Sequence, residues 1–306
     1  MSQHNHDDVS LPGVTLMVII LASLATFALW FMPLAGMITY PLRLFTTFIH
    51  ETAHVIGALT TGGSVQFMEV HWEGSGLTRV QGGWTFVTAS AGYMGTALFG
   101  ALLLLSARKT TTSRLAMAVT GATILLVTAL YAGRGGTLPV FFGGVGALVF
   151  FGLTLIEKLP GFVKAAFGAM GLVLLVGATG YLAQTAGLLT WMLGLGSGLA
   201  LLAAARFTGG DVSKILVAFL GIQVGLNALG DVFVLIGLSA SPCAHTDARL
   251  MADLYGLPAV IWAMGWAAVS VGLLVGVVAY LKWDYTRARQ GKRAAVDVYD
   301  GDVYVG

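Results

Sequence analysis

His50, Glu51 and His54 are spaced so that two imidazoles and one carboxylate can act on a single metal ion. They belong to the pentapeptide His50-Glu51-Thr52-Ala53-His54, an HExxH motif. On a helix, positions i and i+4 share a face, so both imidazoles reach one ion while the glutamate points at its bound water. Two neutral histidine ligands with a carboxylate base make the arrangement of a zinc hydrolase. Phe48, Ile49, Val55 and Ile56 flank the motif with uncharged side chains. With this chain's own His and Glu frequencies, a random HExxH arises in roughly one chain in a thousand. The reading is therefore His50 and His54 as ligands of Zn2+ and Glu51 as the catalytic base. The rival reading is a helix that carries two histidines for other reasons.

A catalytic zinc needs three protein ligands and one open position. The glutamates after the motif are Glu69, Glu73 and Glu157. The first two fall in a predicted hairpin and the third sits beside Lys158 at a helix end, so none suits. No third histidine follows closely, and aspartate remains. Gln223, Asn227 and Asp231 recur every four residues in an apolar stretch and form one polar stripe on a helix face. An ionisable group inside a bilayer is costly unless it is paired or faces water. Asp231 is accordingly the chosen third metal ligand, with a helix–helix hydrogen bond or an interfacial position as the alternative. Asn227 is a candidate substrate-binding residue that could donate to a carbonyl or oxyanion, with interhelical bonding equally open. Cys243, His245, Asp247 and Asp253 collect in a long polar segment that reads as an ordinary solvated loop. Asp247 is the reserve third ligand. His71 reads as an exposed strand residue, and the N-terminal His4, His6, Asp7 and Asp8 are given no role.

The elements that must hold these residues are set by a very apolar composition. Of 306 residues 57% are hydrophobic and only 10% charged, against about 25% charged in soluble domains. That is the multispanning membrane class, and 42 glycines suit closely approaching transmembrane helices. Cys243 is the only cysteine, which excludes an internal disulfide and a zinc ribbon. A net charge of +2 gives no sign of nucleic acid, and no nucleic-acid partner is expected. No feature of the sequence fixes an oligomeric state.

The fold expected is an all-α polytopic membrane protein of eight or nine transmembrane helices, with a short β-hairpin after the HExxH helix. Residues 1–13 form a flexible N-terminal tail without Lys or Arg, so no cleavable signal peptide is expected. Residues 14–282 form one polytopic domain and 283–306 a flexible, polar C-terminal tail. A first span covers 14–37, and the HExxH segment runs from about Tyr40 to Thr61, ending at Gly62-Gly63. Further spans are predicted at 85–107, 114–132, 137–156, 162–183, 187–205, 213–237 and 258–282. Residues 64–83 alternate as two strands around Glu73-Gly74-Ser75-Gly76, and 238–257 is the longest loop. Small residues (Ala53 and Gly57 on one helix, Gly225, Ala228 and Gly230 on the other) would let the HExxH helix pack on 213–237. Lys282, Arg287, Arg289, Lys292 and Arg293 place the C-terminus in the cytoplasm by the positive-inside rule.

Phe48-Ile49-His50-Glu51-Thr52-Ala53-His54, followed by Ala58-Leu59-Thr60-Thr61-Gly62-Gly63, resembles the M50B-like membrane peptidases, relatives of the site-2 proteases. The hairpin, Ser90-Ala91-Gly92-Tyr93-Met94-Gly95, Asp231, Asp247-Ala248 and the stretch Trp262 to Trp266 continue the similarity over most of 40–280. The resemblance implies an intramembrane zinc metallopeptidase with His50 and His54 as ligands and Glu51 as base. It also implies that the hairpin is a membrane-associated β element near substrate. Site-2 proteases carry Asn-Pro-Asp-Gly around the third ligand, and here Asn227 to Asp231 only echoes it.

Two classes of function compete. The leading one is hydrolysis of peptide bonds in a membrane protein or peptide within or beside the lipid bilayer, with the hairpin holding the extended substrate by strand addition. In that reading the protein is a multi-pass component of the plasma membrane. The hairpin handles substrate and adds little core, with the edge of its first strand, at Val70, as the docking edge. The other is a non-proteolytic transporter or scaffold that retains the same polar residues. Convergence of the two histidines and an aspartate on one point separates them.

Overall fold

The structure is a computed structural model that describes residues 24, 28, 36–134, 138–184, 187–238 and 246–301. The expected first span at 14–37 and the N-terminal tail fall almost wholly outside the described residues. So do Cys243 and His245.

Helix α1, Gly36–Thr60, carries the HExxH. It ends because Gly62 takes the left-handed conformation, with φ of 80°. Gly63 N then donates to Ala58 O (2.9 Å) and Gly62 N to Leu59 O (3.3 Å), the paired closure of a Schellman cap. The chain enters strand β1, Ser64–Val70, and returns as β2, Gly76–Gln81. The pair is antiparallel, with Met68 opposite Thr78 and Val70 opposite Gly76, and a bulge between Val65 and Phe67. At the tip, Ser75 Oγ donates to Glu73 Oε1 at 3.0 Å. The Glu73 carboxyl sits below its ordinary pKa, first through its own backbone N–H and then through this hydroxyl.

The helices that follow are α2 (Thr85–Ser106), α3 (Thr110–Tyr131), α4 (Leu138–Thr154), α5 (Gly161–Gln184), α6 (Leu188–Phe207), α7 (Gly210–Leu238), α8 (Asp247–Tyr255) and α9 (Ala259–Gly301). Among the described residues, six are long and apolar enough to cross a membrane: α2, α3, α5, α6, α7 and α9. Each matches a predicted span within a few residues. Helix α4 is shorter, and α1 is kept out of this group by Arg43, Thr46, Thr47, His50, Glu51, Thr52 and His54.

Two expectations need correction. Residues 246–256 are not loop: Thr246 caps α8 by accepting from Arg249 N at 3.2 Å, and Gly256 closes it at φ of 78°. Asp253 is spent on Arg249 one turn back, at 3.1 Å. The segment expected to be a C-terminal tail continues α9 as helix to Gly301, since no proline interrupts it after Pro258. Residues 302–306 lie outside the described residues.

The described chain divides into two compact units. One comprises Gly36–Gly95 and Met117–Arg206, and the other includes Thr96–Ala116 and the chain from Phe207 onward. In the second unit Gly100 and Gly221 meet so closely that a Cβ on either would lie 3.0 Å from the other's carbonyl oxygen. This is helix crossing through small residues. Arg108 there reaches Asp284 at 2.7 Å and the Tyr280 hydroxyl at 3.0 Å. Gly225 faces Leu274 of α9.

In the first unit the hairpin is core rather than appendage. Phe67, Met68, Glu69 and Val70 are all buried. Arg134 Nε donates to both Glu69 carboxylate oxygens at 3.0 and 2.9 Å, and its guanidinium lies 5.5 Å from the Phe67 ring centroid. The outer side of β1 is occupied: Gly133 N donates to Met68 O, and Val70 N donates to Thr190 Oγ1, each at 2.9 Å. The expected docking edge at Val70 is thus engaged within the protein, because β1 is hemmed by residues 132–133 and α6. Among the described residues β2 pairs with no strand other than β1, so its outer edge is the open one.

Candidate active site

Helix α1 presents two functional faces. His50 and His54, four residues apart, lie toward the first half of α2, while Thr47 and Glu51, also four apart, lie toward the hairpin. The approach to α2 is set by small residues. A Cβ on Gly57 would lie 2.9 Å from that of Ala91, and one on Gly95 would lie 2.8 Å from that of Ala53. Ala53 and Gly57, expected to face 213–237, have these α2 residues as their neighbours.

That close approach brings the Thr88 carbonyl to 2.7 Å from His54 Nδ1. A carbonyl only accepts, so Nδ1 carries the proton in this contact and Nε2 is the nitrogen turned toward His50. His50 Nε2 lies 3.1 Å from His54 Nε2. Two nitrogens at 2.0–2.1 Å from one tetrahedral zinc would be about 3.3 Å apart. The donor set therefore fits a shared divalent ion. His50 is held from the other side by the Tyr93 ring, edge-to-face at 4.6 Å. Gly92 completes the site by having no side chain. A Cβ there would lie 2.4 Å from both Nε2 atoms.

Glu51 is the third member of the cluster, and the ligating atoms of His50, Glu51 and His54 lie within 4.8 Å of one another. It is 5% exposed. Thr78 Oγ1 donates to its Oε2 at 2.6 Å, and Thr47 Oγ1 donates to Gly74 O at 3.0 Å, fastening the hairpin turn to the same helix face.

The structure brings together His50, Glu51 and His54. Asp231 and Asn227 belong to the second unit, on α7. Asn227 is buried and its Nδ2 donates to Gln223 O at 2.8 Å, one turn back in its own helix. Asp231 follows one turn later and is half-buried, so the predicted polar stripe exists. Asp247, the reserve ligand, is the first residue of α8, where a carboxylate suits the helix dipole. His71 approaches the buried Glu69 at 4.0 Å.

Sequence reasoning missed Thr78, Gly92 and the Thr88 carbonyl. Gly92 stood in the quoted Ser90–Gly95 run, yet no spacing rule ties it to a motif about 40 residues earlier. Thr78 becomes visible only through the strand register.

A family model described as Peptidase M50B-like matches residues 16–184 and 163–277. No curated protein and no solved structure matches the chain.

Proposed function

The chain belongs to the M50B-like peptidase family, and from that membership we propose an intramembrane zinc metallopeptidase that hydrolyses peptide bonds of membrane-associated substrates. The observation that carries the reading is the pair of imidazole nitrogens 3.1 Å apart beside a buried carboxylate. A transporter or scaffold has no need of that convergence.

In this reading His50 and His54 hold Zn2+, and Asp231 is the third ligand, with Asp247 in reserve. The bound ion supplies Lewis-acid polarisation of a carbonyl and acidifies water at neutral pH. Glu51 accepts the proton of the attacking water at its carboxylate and passes it to the leaving amine. Thr88 fixes the tautomer of His54 through its carbonyl. Asn227 Nδ2 donates one amide hydrogen to Gln223 O, and the second is the proposed donor to substrate.

A helical substrate must unwind before its backbone is open to attack, and strand addition holds the extended form. The edge for that is β2. In an antiparallel ladder the residues of a non-hydrogen-bonded pair both turn N–H and C=O away from the partner strand. Met68 O and Val70 N serve Gly133 and Thr190, so their partners Thr78 and Gly76 turn their own groups to the open side of β2. Adding α4 and the apolar sequence at 14–37 to the six long helices would make eight spans, and α1 a ninth, in the proposed multi-pass plasma-membrane protein.

The test is Glu51→Gln in proteoliposomes carrying a quenched-fluorescent transmembrane peptide. Cleavage should vanish while zinc content stays at the wild-type level, whereas His54→Ala should lose both. Cleavage by Glu51→Gln at the wild-type rate would overturn the mechanism.

A further inference from the structure

The hairpin does more at this site than offer an edge. Glu51 has a long side chain with several rotatable bonds, and a general base works only when its oxygen is held within reach of the proton it takes. Helix α1 fixes the backbone of Glu51 and leaves the carboxylate free to swing. What restrains it is strand β2. Thr78 Oγ1 lies 2.6 Å from Oε2 and 3.2 Å from the backbone oxygen of the same residue. A hydroxyl donating to a carboxylate at that distance forms a charge-assisted bond, among the stronger single contacts available. On the other side, Gly76 lies against the carboxylate so closely that its Cβ, if it had one, would be 2.4 Å from Oε1 and 2.7 Å from Cδ.

Gly76 and Thr78 are two residues apart on one strand, so they share a face. One supplies a donor and the other a flat backbone surface. Together they make a seat for one carboxylate, and the seat is built from a strand whose sequence contains no carboxylate, histidine or cysteine. Thr47 Oγ1 on Gly74 O, one turn earlier on α1, keeps the strand at that height along the helix.

We propose that Thr78 is a positioning residue for Glu51, that Gly76 is the spacer that lets the carboxylate lie against β2, and that β2 thereby couples substrate docking to the base. The coupling follows from the register. The backbone groups turned to the open edge are those of Gly76 and Thr78, the same two residues that touch Glu51. A substrate strand on that edge stiffens the seat at the moment the base is needed. This rests on the proteolytic reading above, and the variants separate the two.

Thr78→Val removes only the hydroxyl and keeps both the strand backbone and a β-branched shape. The expectation is a fall in kcat of about 10- to 100-fold, the range for losing a hydrogen bond to a charged group, with KM and zinc content unchanged. Thr78→Ser, which restores the donor, should recover most of kcat. Gly76→Ala should abolish turnover with zinc still bound, because the methyl displaces the carboxylate and not the imidazoles. Assayed beside Glu51→Gln on the same transmembrane peptide, an inactive Glu51→Gln with a fully active Thr78→Val overturns this proposal alone. A fully active Glu51→Gln overturns Glu51 as the base and this proposal with it, whereas absence of cleavage by the zinc-loaded wild-type protein overturns the proteolytic reading. Equal losses of kcat in Thr78→Val and Thr78→Ser, or loss of zinc in either, would also make Thr78 a structural residue and refute the positioning role.

Discussion

Gly92→Ala should empty the metal site while leaving the fold intact. A Cβ at this position would lie 2.4 Å from His50 Nε2, 2.4 Å from His54 Nε2 and 2.6 Å from His50 Cε1, whereas real Cβ atoms stay beyond 3.0 Å. Each ring must therefore retreat by at least 0.6 Å, the difference between 3.0 and 2.4 Å. Metal–ligand distances tolerate about 0.2 Å. The atoms that clash are the far ends of side chains, so the rings can swing away without moving α1 or α2. His54 would then give up the Thr88 carbonyl, at about 1 kcal/mol for one hydrogen bond. Replacing glycine by alanine inside helix α2 returns about 1 kcal/mol of helix propensity. The two nearly cancel, and the unfolding temperature of the metal-free protein should shift by no more than a few degrees. Zinc affinity should fall at least about 100-fold, roughly 2.7 kcal/mol, because neither nitrogen can hold its bond length. Zinc titration in chelator-buffered detergent solution, set beside thermal unfolding in EDTA, reads both quantities. Wild-type zinc affinity in Gly92→Ala would refute the geometry of the site.

Arg134→Ala should destabilise the protein by about 1–3 kcal/mol, less than a fully buried pair because Arg134 is 57% exposed while Glu69 is 0% exposed. Adding Glu69→Gln should recover part of the loss in thermal unfolding, and no recovery would mean the pair is incidental. Asp231→Asn should lower zinc affinity more than tenfold with the fold unchanged if Asp231 is the third ligand. Wild-type zinc affinity in Asp231→Asn, with loss in Asp247→Asn, would transfer the role to Asp247.

The spans were legible because the burial of long apolar helices needs only local composition. Helices α2, α3, α5, α6 and α7 begin and end within a few residues of the hydropathy reading. The cap of α1 was legible for a similar reason, since Gly62-Gly63 is a local stop. Helix α8 was missed although Thr246, Gly256 and Pro258 all marked it, because nine residues of low hydropathy between polar neighbours read as loop. The hairpin's strands were legible by alternation, but their roles were not. Which strand faces outward depends on Gly133 and Thr190, which come from 65 and 120 residues beyond the atoms they meet, Met68 O being reached at 2.9 Å and Val70 N likewise. No pattern within the strand records a partner at that separation.

The same distinction explains why the motif alone describes only half of the site. HExxH fixes a spacing along one helix, and that spacing gives two histidines on one face and a glutamate a third of a turn away on another. A single flat neighbour cannot serve both. The α2 face has to be thin, because two imidazoles must turn their nitrogens toward one point, and Gly92 and Gly95 make it thin. The hairpin face has to offer a hydrogen-bond donor and close contact, because a carboxylate there is buried, and Thr78 and Gly76 supply these. A third helix on that side would have its backbone donors tied up internally and set several ångströms back behind its side chains. A strand can instead lay bare backbone against the carboxylate and still leave one edge for an extended chain. The β element in an otherwise helical membrane protein therefore follows from what the glutamate of HExxH requires.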